Sequence, residues 1–158
     1  MKAIFAPWRM EFILGPKEKG CIFCNRWKRH SDRKDFILAR GKYSFVILNK
    51  FPYNNGHLMV VPYRHVASLQ GLTPEEGKEM FGFLAKAERA LTRAMKPQGF
   101  NGGLNLGKAA GAGIDDHLHF HLVPRWFADT NFWPVISETK TMPQHLMQTY
   151  DMVKKHWN

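Results

Sequence analysis

Residues 115–126, DDHLHFHLVPRW, place a histidine at every second position from 117 to 121. In an extended strand successive side chains point to opposite faces. His117, His119 and His121 then share one face, their backbones roughly 7 Å apart, and Leu118, Phe120 and Leu122 line the other. Imidazole serves near neutral pH as nucleophile, proton donor or metal ligand. The row by itself leaves metal binding, catalysis and a polar strand face open.

A second reactive group sits near the N-terminus. Cys21 and Cys24 are the only two cysteines, and GCIFCNRW arranges them as C-x-x-C. Where thiols are kept reduced, such a pair is a redox couple, half of a metal site or an incidental pair. His57 and His65 bracket the apolar stretch GHLMVVPYRH.

These groups need a scaffold to hold them. A chain of 158 residues with 44% hydrophobic and 13% aromatic content reads as one globular domain with a substantial core. The apolar runs FVIL and LMVV are far shorter than the roughly 20 residues of a spanning helix. Pro7, Trp8 and Arg9 interrupt the N-terminal stretch, so neither a membrane span nor a signal peptide is expected. A cytoplasmic protein is expected. The net charge of +10 favours anionic partners such as nucleotides, nucleic acid or acidic surfaces, with a soluble basic surface of no specific meaning as the competing reading. NRWKRHSDRK at 25–34 is the densest basic cluster and reads as a solvated loop or helix face.

Residues 36–40 and 43–50 are β-rich around a Gly41-Lys42 turn, FPYNNG at 51–56 is a turn, and 57–63 is the next strand. At Thr73 the period changes. Thr73 as N-cap, Pro74 at the first helical position and Glu76 completing a capping box open a helix that Pro97 and Gly99 end. Met80, Phe83, Leu84, Ala87, Leu91 and Met95 recur along it at helical spacing. FNGGLNLG at 100–107 is a Gly-rich strand, KAAGAGIDD a loop feeding the histidine strand, and the segment from 142 to 157 a C-terminal helix. The expected class is α+β, with an antiparallel sheet of about five strands, one long helix and a C-terminal helix.

Taken with GCIFC, LNKFPYNNGHLMVVPYRHV and GFNGGLNLGKAAG, the stretch His117-Leu118-His119-Phe120-His121-Leu122-Val123 resembles the histidine triad (HIT) superfamily, whose signature is His-φ-His-φ-His-φ-φ with φ apolar. The likeness covers most of the chain and is greatest to the bacterial branch of diadenosine-polyphosphate phosphorylases and hydrolases. It implies a single HIT domain over 1–158: a zinc-bearing N-terminal segment to about 35, a core to about 126, and a C-terminal extension.

The resemblance also implies roles. His119 would be the nucleophile at the α-phosphorus of a nucleotide, giving a labile nucleotidyl-histidine that a second acceptor resolves. His121 would bind phosphate oxygens or the leaving group, and His57 would sit against the phosphates. Asn105 matches a phosphate-contacting amide, Asn49 the ribose position, and Ile22 and Phe23 the base pocket, where simple core packing is the competing reading. Cys21, Cys24, His65 and His117 would hold a structural zinc, since two thiolates and two imidazoles close a tetrahedral site. Family members usually form symmetric dimers, to which RWFADTNFW and the C-terminal helix would contribute.

One departure stands out. The family often places Gln or Ser shortly before the triad, whereas this chain has Ala112-Gly113-Ile114, and the loop from Asn105 to His117 is one residue longer. Backbone amides around Gly113, with Lys108, are expected to take over anion binding. Asp115 and Asp116 read as a solvated loop face. The expected activity is nucleotidyl transfer or hydrolysis on dinucleoside polyphosphates. The alternatives are a hydrolase of small adenylates, a nucleotide- or nucleic-acid-binding module, which two intact catalytic histidines argue against, and a metal-dependent phosphohydrolase, which lacks the necessary carboxylates.

Overall fold

The computed structural model describes residues 19–130 and 142–157. Two short helices, α1 (Ile22–Lys28) and α2 (Asp32–Asp35), lead into strands β1 (Ile37–Arg40), β2 (Ser44–Leu48) and β3 (Leu58–Pro62). The long helix α3 (Pro74–Met95) follows, then β4 (Gly99–Gly103), β5 (Phe120–Arg125) and the C-terminal helix α4 (Leu146–Lys155). All pairings in the sheet are antiparallel, in the order β1-β2-β3-β5-β4. The α+β architecture expected from the sequence is present. RWFADTNFW runs past residue 130, so its contribution to a dimer lies outside the described residues, as do residues 1–18. No helix among the described residues is long and apolar enough to cross a membrane.

β2 and β3 are buried along their whole length because both sheet faces are covered, and this is why they read as unbroken apolar runs. Val46, Leu48, Leu58, Val60 and Leu122 face α3 and α4. Phe45, Ile47, Met59 and Val61 face the other way, toward Phe23 of α1. His121 pairs with Met59 across the β3–β5 ladder, and its side chain joins this second face.

The capping box of α3 forms as the sequence predicts, with Thr73 accepting from the Glu76 amide and Glu76 from the Thr73 amide. Glu76 is also held by both arms of the Arg64 guanidinium, at 2.6 and 2.7 Å. That clamp anchors the chain just after β3 and fixes the neighbouring His65. At the β1–β2 turn, Glu79 of α3 accepts from the amides of Lys42 and Tyr43 and from the Ser44 hydroxyl.

The histidine strand is shorter than its sequence pattern suggests. The ladder starts only at Phe120, so His117 and His119 precede it. Pro62 has no N–H for a further rung, and its carbonyl accepts instead from His117 Nε2 at 2.9 Å. The Leu118 amide reaches past it to the Val66 carbonyl. The Gly-rich strand likewise stops at Gly103, leaving Asn105 in a loop. The basic cluster at 25–34 is α1 and α2, with Arg29 on Asp35 and Arg33 on Asp151.

Candidate active site

The three histidines of the row are each locked into one tautomer by the backbone or by another histidine. His119 Nδ1 lies 2.8 Å from the His117 carbonyl, which can only accept. The proton is therefore on Nδ1, and Nε2 keeps its lone pair. Burial pushes the His119 pKa down, against the raising effect of that hydrogen bond. The ring is neutral at pH 7, the form a nucleophile needs.

Behind it runs a relay. The Tyr53 amide donates to His57 Nδ1 at 3.0 Å, so His57 carries its proton on Nε2. His57 Nε2 lies 2.9 Å from His121 Nδ1, which must then accept, and His121 is left with its proton on Nε2. That Nε2 is buried and has no hydrogen-bond partner among the described residues, as expected of a donor waiting for a ligand. Burial, reinforced by His121 and His119, lowers the His57 pKa to about 3. Burial and His119 lower that of His121 to about 4. The site thus presents one lone pair, on His119, beside one N–H, on His121, with ring centroids 4.7 Å apart.

Both face a cavity of about 300 Å³. Of the residues expected there, Ile22, Phe23, Asn49, Asn105, Gly113, His119 and His121 line it. Phe23 packs its ring 5.0 Å from that of His119. Asn49 Oδ1 accepts from the Phe51 amide, which braces the loop carrying Tyr53. His57 is placed differently: it is 1% exposed and sits behind His121, so it reaches a ligand through that ring and not directly. Lys108 is also not brought in. Its side chain is 84% exposed and lies 3.8 Å from Asp115, because the turn at Lys108–Ala110 points it to solvent. Sequence reasoning missed Arg26, Lys50, Phe51, Tyr53, Met59 and Ile114 in the lining. Arg26 lies one helical turn beyond Ile22 on α1, a helix too short to announce itself in the sequence; the part played by the Tyr53 amide leaves no trace in side-chain identity.

On the far side of Phe23, Cys21, Cys24, His65 and His117 converge, their ligand atoms all within 4.8 Å of one another. Cys21 caps α1 and Cys24 lies in its first turn, which turns both sulfurs to one side. His117 Nδ1 is 3.2 Å from Cys21 Sγ and 3.6 Å from Cys24 Sγ, and His65 Nδ1 is 3.5 Å from Cys24 Sγ. Bonds of about 2.3 Å to sulfur and 2.0–2.1 Å to nitrogen around a tetrahedral ion imply S···N edges of about 3.5 Å, so the residues fit a metal. The Pro62 carbonyl takes the His117 Nε2 proton and frees Nδ1 to ligate. Asp116, one of two carboxylates without an assigned role in the sequence, lies 3.5 Å from His65 Nε2, the position of an outer partner that orients a ligating imidazole.

Comparison with known proteins finds relatives of this chain. An AP-4-A phosphorylase of Mycobacterium tuberculosis is 46% identical over 127 residues, 80% of this chain and 65% of the relative. The chain thus spans just under two thirds of that relative's length. An adenosine 5'-monophosphoramidase of Saccharomyces cerevisiae is 36% identical over 68% of this chain and 64% of its own. Among solved structures, a Zn-bound histidine triad family protein from Mycobacterium smegmatis shares the fold, with a TM-score of 0.71 at 22% identity over 87% of this chain and 93% of that one. The HIT domain profile matches residues 30–128, which include the relay and the whole histidine row, and the chain belongs to the HIT family.

Proposed function

We propose that the protein is a phosphorylase of dinucleoside polyphosphates that works through a nucleotidyl-His119 intermediate. The observation that carries this reading is the pairing of a lone pair on His119 Nε2 with a proton on His121 Nε2 in one cavity. In the first half-reaction Nε2 attacks the α-phosphorus, the P–O bond to the leaving chain breaks, and the electron pair departs on that oxygen. His121 Nε2–H donates a hydrogen bond to the charge that develops there. Throughout, the His117 carbonyl holds the Nδ1 proton of His119 and shares the positive charge the ring acquires. In the second half-reaction a phosphate oxygen attacks phosphorus, the P–N bond breaks, and its electron pair returns to Nε2.

Ile22 and Phe23 wall the base, and Asn105 with the amides around Gly113 meets phosphate oxygens. Cys21, Cys24, His65 and His117 would hold zinc in a closed site, which supplies rigidity and not Lewis-acid chemistry. The 46% identity to an AP-4-A phosphorylase supports the substrate class. The likeness to a monophosphoramidase favours small adenylates as the second reading. We read the whole chain as one HIT domain that pairs as a homodimer, in a cytoplasm whose reducing conditions leave Cys21 and Cys24 available to the metal. Turnover of diadenosine tetraphosphate with and without phosphate tests the reading. ADP plus ATP, at a rate that rises with phosphate, is expected; AMP plus ATP regardless of phosphate makes the enzyme a hydrolase.

A further inference from the structure

An acceptor phosphate must approach phosphorus in line with the P–N bond to His119. It enters from the side on which the polyphosphate chain departed, so one cationic group has to serve both anions in turn. Lys108, expected in that place, points into solvent toward Asp115. Among the described residues that line the cavity, the cations are Arg26 and Lys50, and no carboxylate joins them.

Arg26 differs from most arginines of this chain. Arg29, Arg33, Arg40, Arg64 and Arg125 each hold a carboxylate. No carboxylate among the described residues pairs with Arg26, and its Nε is buried without a hydrogen-bond partner. It lies four residues beyond Ile22 on α1, on the helix face that walls the cavity. A guanidinium offers parallel N–H groups to two oxygens of one phosphate, and here that capacity is unspent.

We propose that Arg26 forms the acceptor-phosphate site, on which the phosphorylase reading above depends for its second half-reaction. Phosphate held by Arg26 places an oxygen against the α-phosphorus. The P–O bond forms as the P–N bond breaks, the electron pair goes back to His119 Nε2, and a nucleoside diphosphate leaves. Dianionic phosphate attacks with an oxygen that already bears charge, whereas water must lose a proton, so an occupied Arg26 site diverts the intermediate from hydrolysis.

The test reads the partition of the intermediate, which does not depend on how fast His119 is loaded. Full-length enzyme is loaded from adenosine 5'-phosphorimidazolide, whose leaving group carries no phosphate, and the ADP:AMP ratio is followed as inorganic phosphate is titrated. A second arm uses diadenosine tetraphosphate, where the leaving chain also meets Arg26. With the imidazolide, Arg26→Ala should raise the phosphate concentration for half-maximal ADP at least about tenfold, the loss expected for hydrogen bonds to a charged partner. Arg26→Lys, which keeps the charge without the fork, should fall between. A wild-type-like titration in both variants overturns the proposal. So does an altered preference between diadenosine and diguanosine tetraphosphate with the ADP:AMP ratio unmoved, which would put Arg26 on the base. Wild-type enzyme that yields AMP alone at every phosphate concentration removes the phosphorylase reading itself, and the acceptor site with it.

Discussion

His57 Nε2 sits 2.9 Å from His121 Nδ1, and the direction of that hydrogen bond is set by the Tyr53 amide on the opposite edge of the His57 ring. A main-chain N–H at residue 53 therefore decides which nitrogen of His121 faces the cavity with a proton. His57 works through His121.

Replacing His57 should separate orientation from binding. His57→Leu removes the donor to His121 Nδ1, lets the ring adopt either tautomer, and should lower kcat on the order of a hundredfold, as small misplacements of reacting groups do. His57→Gln keeps an N–H where Nε2 was and should recover most of that loss, with KM little changed in either variant. Steady-state kinetics alongside thermal melting checks this; equal losses in both variants at equal stability would contradict the relay.

The same pair makes stability pH-dependent with a definite sign. His57 and His121 have folded pKa values near 3 and 4 against an ordinary 6.5. Between those limits the unfolded chain binds protons that the folded one refuses, so stability is fully present above about pH 6.5 and falls as pH drops toward 4. Each group contributes a slope of up to about 1.4 kcal/mol per pH unit in that window. Urea denaturation from pH 7 to 4 measures it, and His57→Gln should flatten the profile.

How much of this was legible in the sequence depends on where each determinant lies. The capping box of α3 is local chemistry among Thr73, Pro74 and Glu76, and it forms as read. The strand start at Phe120 is not local: it is set by Pro62 and Val66 on the other side of the sheet, so the alternating pattern ran on too far. His119 and His121 still meet in one cavity, while His117 turns to the two cysteines and His65. α1 is seven residues long, too short to show a period, and without it Arg26 and the direction of the Cys pair could not be placed. Lys108 was assigned to the cavity from charge and proximity in sequence, and the turn that exposes it depends on backbone conformation at Gly107 and Gly111, both at φ near +80°.

Glu79 offers a stability test outside the site. Burial works against its charge, but hydrogen bonds from Ser44, Tyr43 and Lys42 outweigh it and hold the carboxyl below its ordinary range. Glu79→Ala leaves those groups at the β1–β2 turn without their acceptor and should cost about 1–3 kcal/mol. Gly41→Ala should destabilise through the same residue, since a Cβ there meets the Glu79 carboxylate at 2.6–2.7 Å. Chemical denaturation of both variants, and their double mutant, should show non-additive losses.

Metal content can be settled directly. Protein purified without chelators should carry about one zinc per chain, as four convergent ligands require. Cys21→Ser with Cys24→Ser should lose the metal and several degrees of melting temperature. Elemental analysis that finds no metal in the unsubstituted protein would refute the site.

The central claim is that His119 Nε2 becomes covalently nucleotidylated. Enzyme mixed with diadenosine tetraphosphate in the absence of phosphate, quenched in base where a phosphoramidate survives, and mapped by peptide mass spectrometry should carry an adenylyl group on His119, and the label should vanish as ADP when phosphate is added before the quench. Turnover at the normal rate with no labelled peptide, or with the label on His121, would contradict the account.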